Sequence, residues 1–184
     1  MTRPPFDPPT AAEIAVISAQ LGRPARGVIG VAARCVCGNP TVVATRPRLD
    51  DGTPFPTLYY LSHPAATSAI STLEATGLMP ELAATLVGET AQAYRSAHES
   101  YLADRERIEV VPEIAGFSAG GMPDRVKCLH ALAAQSLAAG PGLNPIGDAA
   151  LERCSWSPAR CECAEPGAAL GHAPGTTPEA GEPG

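Results

Sequence analysis

The residues of this chain best suited to chemistry are its cysteines and histidines, and two short spacings stand out. Cys35-Val-Cys37 places two thiols one residue apart, and Cys128-Leu-His130 places a thiol and an imidazole at the same interval. Thiolate and imidazole are zinc ligands, usually four to a structural site. The expected metal set is Cys35, Cys37, His63 and Cys128, with His130 as the alternative fourth ligand. The C-x-C spacing is a weaker zinc signal than C-x-x-C. The competing reading makes Cys128 a small buried thiol and His130 a hydrogen-bonded core histidine. Cys161-Glu-Cys163 repeats the first spacing and would complete a four-thiolate site with Cys35 and Cys37. Its place at the edge of a polar tail makes Cys154, Cys161 and Cys163 read as incidental instead.

A second kind of chemistry centres on Gly120-Gly121-Met122-Pro123. Pro123 reads as the first turn of a helix. The free N–H groups of a helix N-terminus attract anions, and glycines let an anion approach. Arg125 and Lys127, the one lysine of the chain, would add charge, as would Arg46 and Arg48. Gly120, Gly121, Arg125, Lys127, Arg46 and Arg48 are therefore the expected anion-binding residues. Against this, Pro123 supplies no N–H and Asp124 repels an anion, so an ordinary turn before a helix competes. No catalytic set is recognisable; an enzyme would draw on Asp124, Lys127 and His130. A helix already running from Pro123 turns about 100° per residue, which points Cys128 and His130 about 160° apart. One ion could then take only one of them.

The elements that must position these residues are legible in part. Thr10 and Glu13 form a capping box for a helix to about Leu21. Gly27–Ala33 and Thr41–Thr45 read as a hairpin with Cys35 and Cys37 at its tip, and Thr57–Ser62 as a third strand. Helices follow over 65–76, from Pro80 to about Arg107 with an interruption at Gly88, from Pro123 to Gly140, and over 147–153. The expected fold is α+β, a small antiparallel sheet packed by three to four helices. The expected organisation is a flexible proline-rich lead (1–9), a single domain (10–155) and a disordered Cys/Pro/Gly-rich tail (156–184).

Composition bounds the function. The chain has 184 residues, 45% hydrophobic but 4% aromatic, so its core must be built from Ala, Val, Leu and Ile. A net charge of −6 argues against nucleic acid as a partner. No run approaches the ~20 apolar residues of a membrane helix, and the opening MTRPPFDPPT lacks the apolar core of a secretory signal. The expected compartment is the cytoplasm, where thiols stay reduced and serve as ligands or core residues. Between Leu21 and Leu49 stand five arginines and no carboxylate. Such a face suits an anionic small ligand or an acidic patch on a protein partner.

Several motifs occur together in order: Cys35-Val-Cys37-Gly38, Pro47-Arg-Leu-Asp-Asp-Gly-Thr-Pro-Phe-Pro56, Tyr59-Tyr60-Leu61, Tyr94-Arg-Ser-Ala-His98, Gly120 to His130, and Gly142-Leu-Asn-Pro-Ile-Gly-Asp148. Over roughly 11–151 the chain resembles the DUF501 family, bacterial proteins of uncharacterised function common in actinobacteria. In that pattern a cysteine often stands where this chain has His63, and a histidine where it has Gln135. The resemblance implies a link to cell division or phosphate metabolism through gene neighbourhood. The expectation is a cytoplasmic ligand- or metal-binding regulatory factor, with zinc as the metal. The alternative is a small enzyme acting on a phosphorylated or other anionic substrate.

Overall fold

A computed structural model of the chain describes residues 3–170. The part of the expected tail beyond Leu170 lies outside the described residues. The first helix, α1 (Ala11–Leu21), opens on the expected capping box: Glu13 N–H donates to Thr10 Oγ1 at 3.2 Å and Thr10 N–H to Glu13 Oε2 at 2.7 Å. The strands β1 (Val28–Arg34), β2 (Pro40–Thr45) and β3 (Tyr59–Leu61) form one antiparallel sheet in that order. Then come α2 (Pro64–Ala75), α3 (Leu78–Ala84), α4 (Gly88–Glu106), α5 (Leu129–Ala139) and α6 (Pro145–Arg153). The fold is α+β, as the sequence indicates. The interruption expected at Gly88 is present: α3 ends before Thr85–Val87 and the chain restarts as α4 at Gly88, whose φ is +53°.

The sheet is covered on both faces, which explains why every residue of β2 is buried. Side chains alternate along a strand. Val42 and Ala44, with Tyr59 and Leu61, face the main core under α2, α4, α5 and α6. Val43, with Val31 and Tyr60, faces the other way, against Ile17 and Leu21 of α1. Glu13 ties α1 to the hairpin by an ion pair with Arg34. Burial opposes charge on Glu13, but the Thr10 N–H and the Arg34 guanidinium outweigh it and lower its pKa. The lowered folded pKa means this contribution is present above the ordinary Glu range and lost as pH falls. Glu13→Gln should cost about 1 kcal/mol at neutral pH. In urea titrations the gap from wild type should close as pH falls below the ordinary Glu range; a constant gap would remove the charge from the account.

Both ends of the described residues touch the domain. At the start Arg3 pairs with Asp104 of α4 at 2.8 Å, Pro4 is buried and Phe6 lies against Gly30 of β1. Past the expected boundary at 155, Trp156 is buried and the chain stays packed through a 3₁₀ turn at Ala168–Leu170.

A close approach joins α5 to α6. A Cβ on Gly147 would lie 2.2 Å from Leu132 O and 2.4 Å from Ser136 Oγ. Gly147→Ala should therefore push the two helices apart at a cost of about 1–3 kcal/mol, seen as a lower Tm. An unchanged Tm would show that the pair separates freely.

The largest correction concerns the Gly-Gly turn. The helix expected from Pro123 starts at Leu129. Residues 120–128 close on themselves instead: Gly121 O accepts the Arg125 N–H at 3.0 Å, and Gly120 O accepts the Lys127 N–H at 2.7 Å. Gly120 and Gly121 have φ of +73° and +94°, and a Cβ on Gly120 would strike Leu132. The glycines serve a tight turn packed on α5. Their carbonyls, rather than free N–H groups, face the loop interior.

Candidate metal centre

The hairpin tip between β1 and β2 is a short turn closed by Cys35 N–H to Asn39 O at 2.9 Å and Gly38 N–H to Cys35 O at 2.8 Å. The turn brings both Cys35 and Cys37 toward the C-terminal segment. That segment grips the tip at three points. Val36 N–H donates to Pro158 O at 3.2 Å, Asn39 Nδ2 donates to Glu165 O at 2.7 Å, and Ala169 N–H donates to Asn39 Oδ1 at 2.9 Å. Asn39 is 2% exposed, so both ends of its amide are spent on this join.

Between the grips, Cys161 and Cys163 reach Cys35 and Cys37. One Sγ from each lies within 4.8 Å of the others, and Cys37 and Cys163 are 3.5 Å apart. A tetrahedron with Zn–S bonds of ~2.3 Å has S···S edges of ~3.8 Å, so the cluster has the size of a tetrathiolate cage. All six cysteines are free, and these four are held without disulfide bonds. Cys35 is buried and the others half-buried. Burial raises the Cys35 and Cys163 thiols. At Cys37 burial is outweighed by the backbone N–H groups of Asn39 and Gly167 and by neighbouring thiols, which bring it down to about 7. Cys37 is thus the thiol of the group most easily ionised near neutrality.

Cys161 and Cys163, which read as incidental in the sequence, thus lie in one group with Cys35 and Cys37. The echo of C-x-C by C-x-C was the available signal, and the polar tail around the second copy hid it. Cys154 does take a local role, accepting the Trp156 N–H at 3.4 Å just beyond α6.

His63 sits beside the cluster. It caps α2, its Nδ1 accepting the Ala66 N–H at 3.4 Å, and its Nε2 is 3.2 Å from Cys163 Sγ. With Nδ1 accepting, the hydrogen-bond network assigns the proton to Nε2, which donates to the sulfur. His63 thus touches the group through Cys163, while the mutually close donors are the four thiols, without the His63 ring or Cys128 named with Cys35 and Cys37 from sequence. Its ring also packs on Trp156, 5.3 Å between centroids. A cleft of about 590 Å³ opens alongside, between Ala12, Val16 and Ala19 of α1 and the His63–Cys163 pair.

Cys128 and His130 are absent from this cluster and form another with Glu74 of α2. The late start of α5 explains why. Cys128 is the N-cap residue in an extended conformation (φ −151°, ψ 106°), so the helical 160° separation does not apply. Glu74 Oε1 lies 3.2 Å from His130 Nδ1 and accepts the Leu129 N–H at 2.6 Å. The Cys128 thiol, outweighing burial, and the Glu74 carboxylate raise His130 to about 9, while His130 lowers Cys128. Sequence reasoning missed Glu74 because only the packing of α2 on α5 brings it there.

The residues named for anion binding do not gather. Arg48 pairs with Glu109 and Glu113, Arg46 with Asp50, and Asp124, Arg125 and Lys127 are exposed. None of them lines the cleft beside Cys163. Gln135, buried in α5, donates to Ala97 O and accepts from Asn144. Among the described residues, no helix is long and apolar enough to cross a membrane.

The chain is thus an α+β protein with a donor set of the zinc type. A family model described as protein of unknown function (DUF501) matches residues 31–152, and the chain belongs to that family. No curated protein and no solved structure matches it. The matched span holds Cys35 and Cys37 but stops short of Cys161 and Cys163.

Proposed function

We propose that the protein binds zinc through Cys35, Cys37, Cys161 and Cys163 and works as a metal-stapled binding or regulatory factor. The convergence of four thiols from two distant segments carries the reading. Four protein thiolates leave no coordination position open, the pattern of a structural rather than a catalytic zinc. The ion fastens the C-terminal segment over the hairpin tip and fixes the wall of the cleft beside α1. That ordered wall is what a partner or small ligand would read. Reduced thiols suit the cytoplasm, and the link to division or phosphate metabolism rests on family resemblance.

Elemental analysis of the full chain, purified without chelator, should find zinc at about one equivalent or more per chain. Cys161→Ser/Cys163→Ser should lose about one equivalent relative to wild type. Wild type with under about a tenth of an equivalent, or a double variant with undiminished zinc, would sink the proposal.

A further inference from the structure

We infer that Glu74, Cys128 and His130 form a second zinc site, of the open kind, where α2 meets the start of α5. One donor atom from each lies within 4.8 Å of the others. The 3.2 Å between Glu74 Oε1 and His130 Nδ1 matches the ~3.4 Å edge expected for ligands ~2.0–2.1 Å from a tetrahedral zinc.

The surroundings prepare each ligand. His130 Nε2 lies 3.2 Å from Thr67 O and 3.1 Å from Ser71 Oγ. A carbonyl only accepts, so Nε2 carries a hydrogen, and Nδ1 is the ring nitrogen that would give up its proton to ligate the ion. A ring N–H donated to a backbone carbonyl is the usual outer support of a metal-bound histidine. Thr67, Ser71 and Glu74 stand four and three residues apart, so one face of α2 supplies both the ligand and the supports. Glu74 Oε1 is further fixed by the Leu129 N–H. Cys128 makes no side-chain capping bond to α5, and its Sγ faces the His130 ring.

Three protein ligands leave the fourth position of zinc for an exchangeable donor. All three residues are half-buried, so solvent reaches the site. The occupant of that position is water or a small anionic oxygen or sulfur donor. This is chemistry that the closed tetrathiolate site lacks, and it stands independently of that site.

Native mass spectrometry of the full chain titrated with zinc chloride separates the two. Wild type should take up two ions, Cys128→Ser one, Glu74→Gln a second ion only weakly, and Cys161→Ser/Cys163→Ser one. Iodoacetamide labelling of Cys128, mapped by peptide mass spectrometry, should slow about tenfold or more with zinc. His130→Ala should abolish that protection. Zinc uptake unchanged by Cys128→Ser, or equal Cys128 labelling with and without zinc, would overturn the second site and leave the first standing. Loss of uptake in Cys128→Ser, with undiminished uptake in Cys161→Ser/Cys163→Ser, would do the reverse.

Discussion

Cys161→Ser/Cys163→Ser should release the C-terminal segment while leaving the α+β domain folded. The core under the sheet owes nothing to the four thiols, since it is built from β2, β3 and the helices of the far face. What a bound ion would add is a clip between positions 126 residues apart in sequence. Closing a loop of that length stabilises by up to about 4–5 kcal/mol on the chain-entropy argument. The reporter is built in. Trp156 is the only tryptophan, 3% exposed and packed on His63. In the variant, or in wild type treated with a strong chelator, its fluorescence should shift to the red. Limited proteolysis should cut between Trp156 and Leu170. A variant that keeps wild-type emission and protease resistance would show that the Asn39 hydrogen bonds hold the segment alone.

Asp104→Ala should be the most damaging single change away from the cysteines. Asp104 is fully buried and accepts Arg3 in a bidentate pair, at 2.8–3.0 Å, and the Tyr59 hydroxyl at 2.9 Å. Burial, reinforced by Asp104, raises the Tyr59 hydroxyl far above its usual range, so it stays a donor. Removing the carboxylate strands that hydroxyl against Tyr101 and unpins the N-terminal lead. The expected loss is about 3–5 kcal/mol in chemical denaturation. Arg3→Ala should cost less, because the Asp104 carboxylate it leaves behind keeps the Tyr59 hydroxyl and the Arg107 guanidinium, 3.7 Å away, as partners. Equal losses from the two variants would contradict this ordering.

What the sequence disclosed follows the range of the interactions involved. The capping box of α1, the hairpin and the third strand are local patterns, and the structure has them. The start of α5 was hidden because Pro123 is a familiar helix opener. The competing bonds come from Gly120 and Gly121, whose carbonyls hold the chain in a turn to Cys128. Half of the thiol cluster was legible at the tip. Its other half lay in a segment too polar to fold by itself, ordered by the hairpin it covers. Neither the Asn39 grip nor the place of Glu74 leaves a mark at short range.

The grip between Cys37 and Cys163 also has a direction in time. A chain made at ~5–20 residues per second needs roughly 6–25 s to add the 126 residues that separate them. During that interval the nascent hairpin carries two thiolates, a weak chelate that any stronger ligand in the cell can strip. On the proposed tetrathiolate reading, tight zinc retention at the tip would begin only when Cys163 emerges. Uptake there would be timed to late translation, and a ribosome that stalls before that codon would release a product lacking the ion of this site.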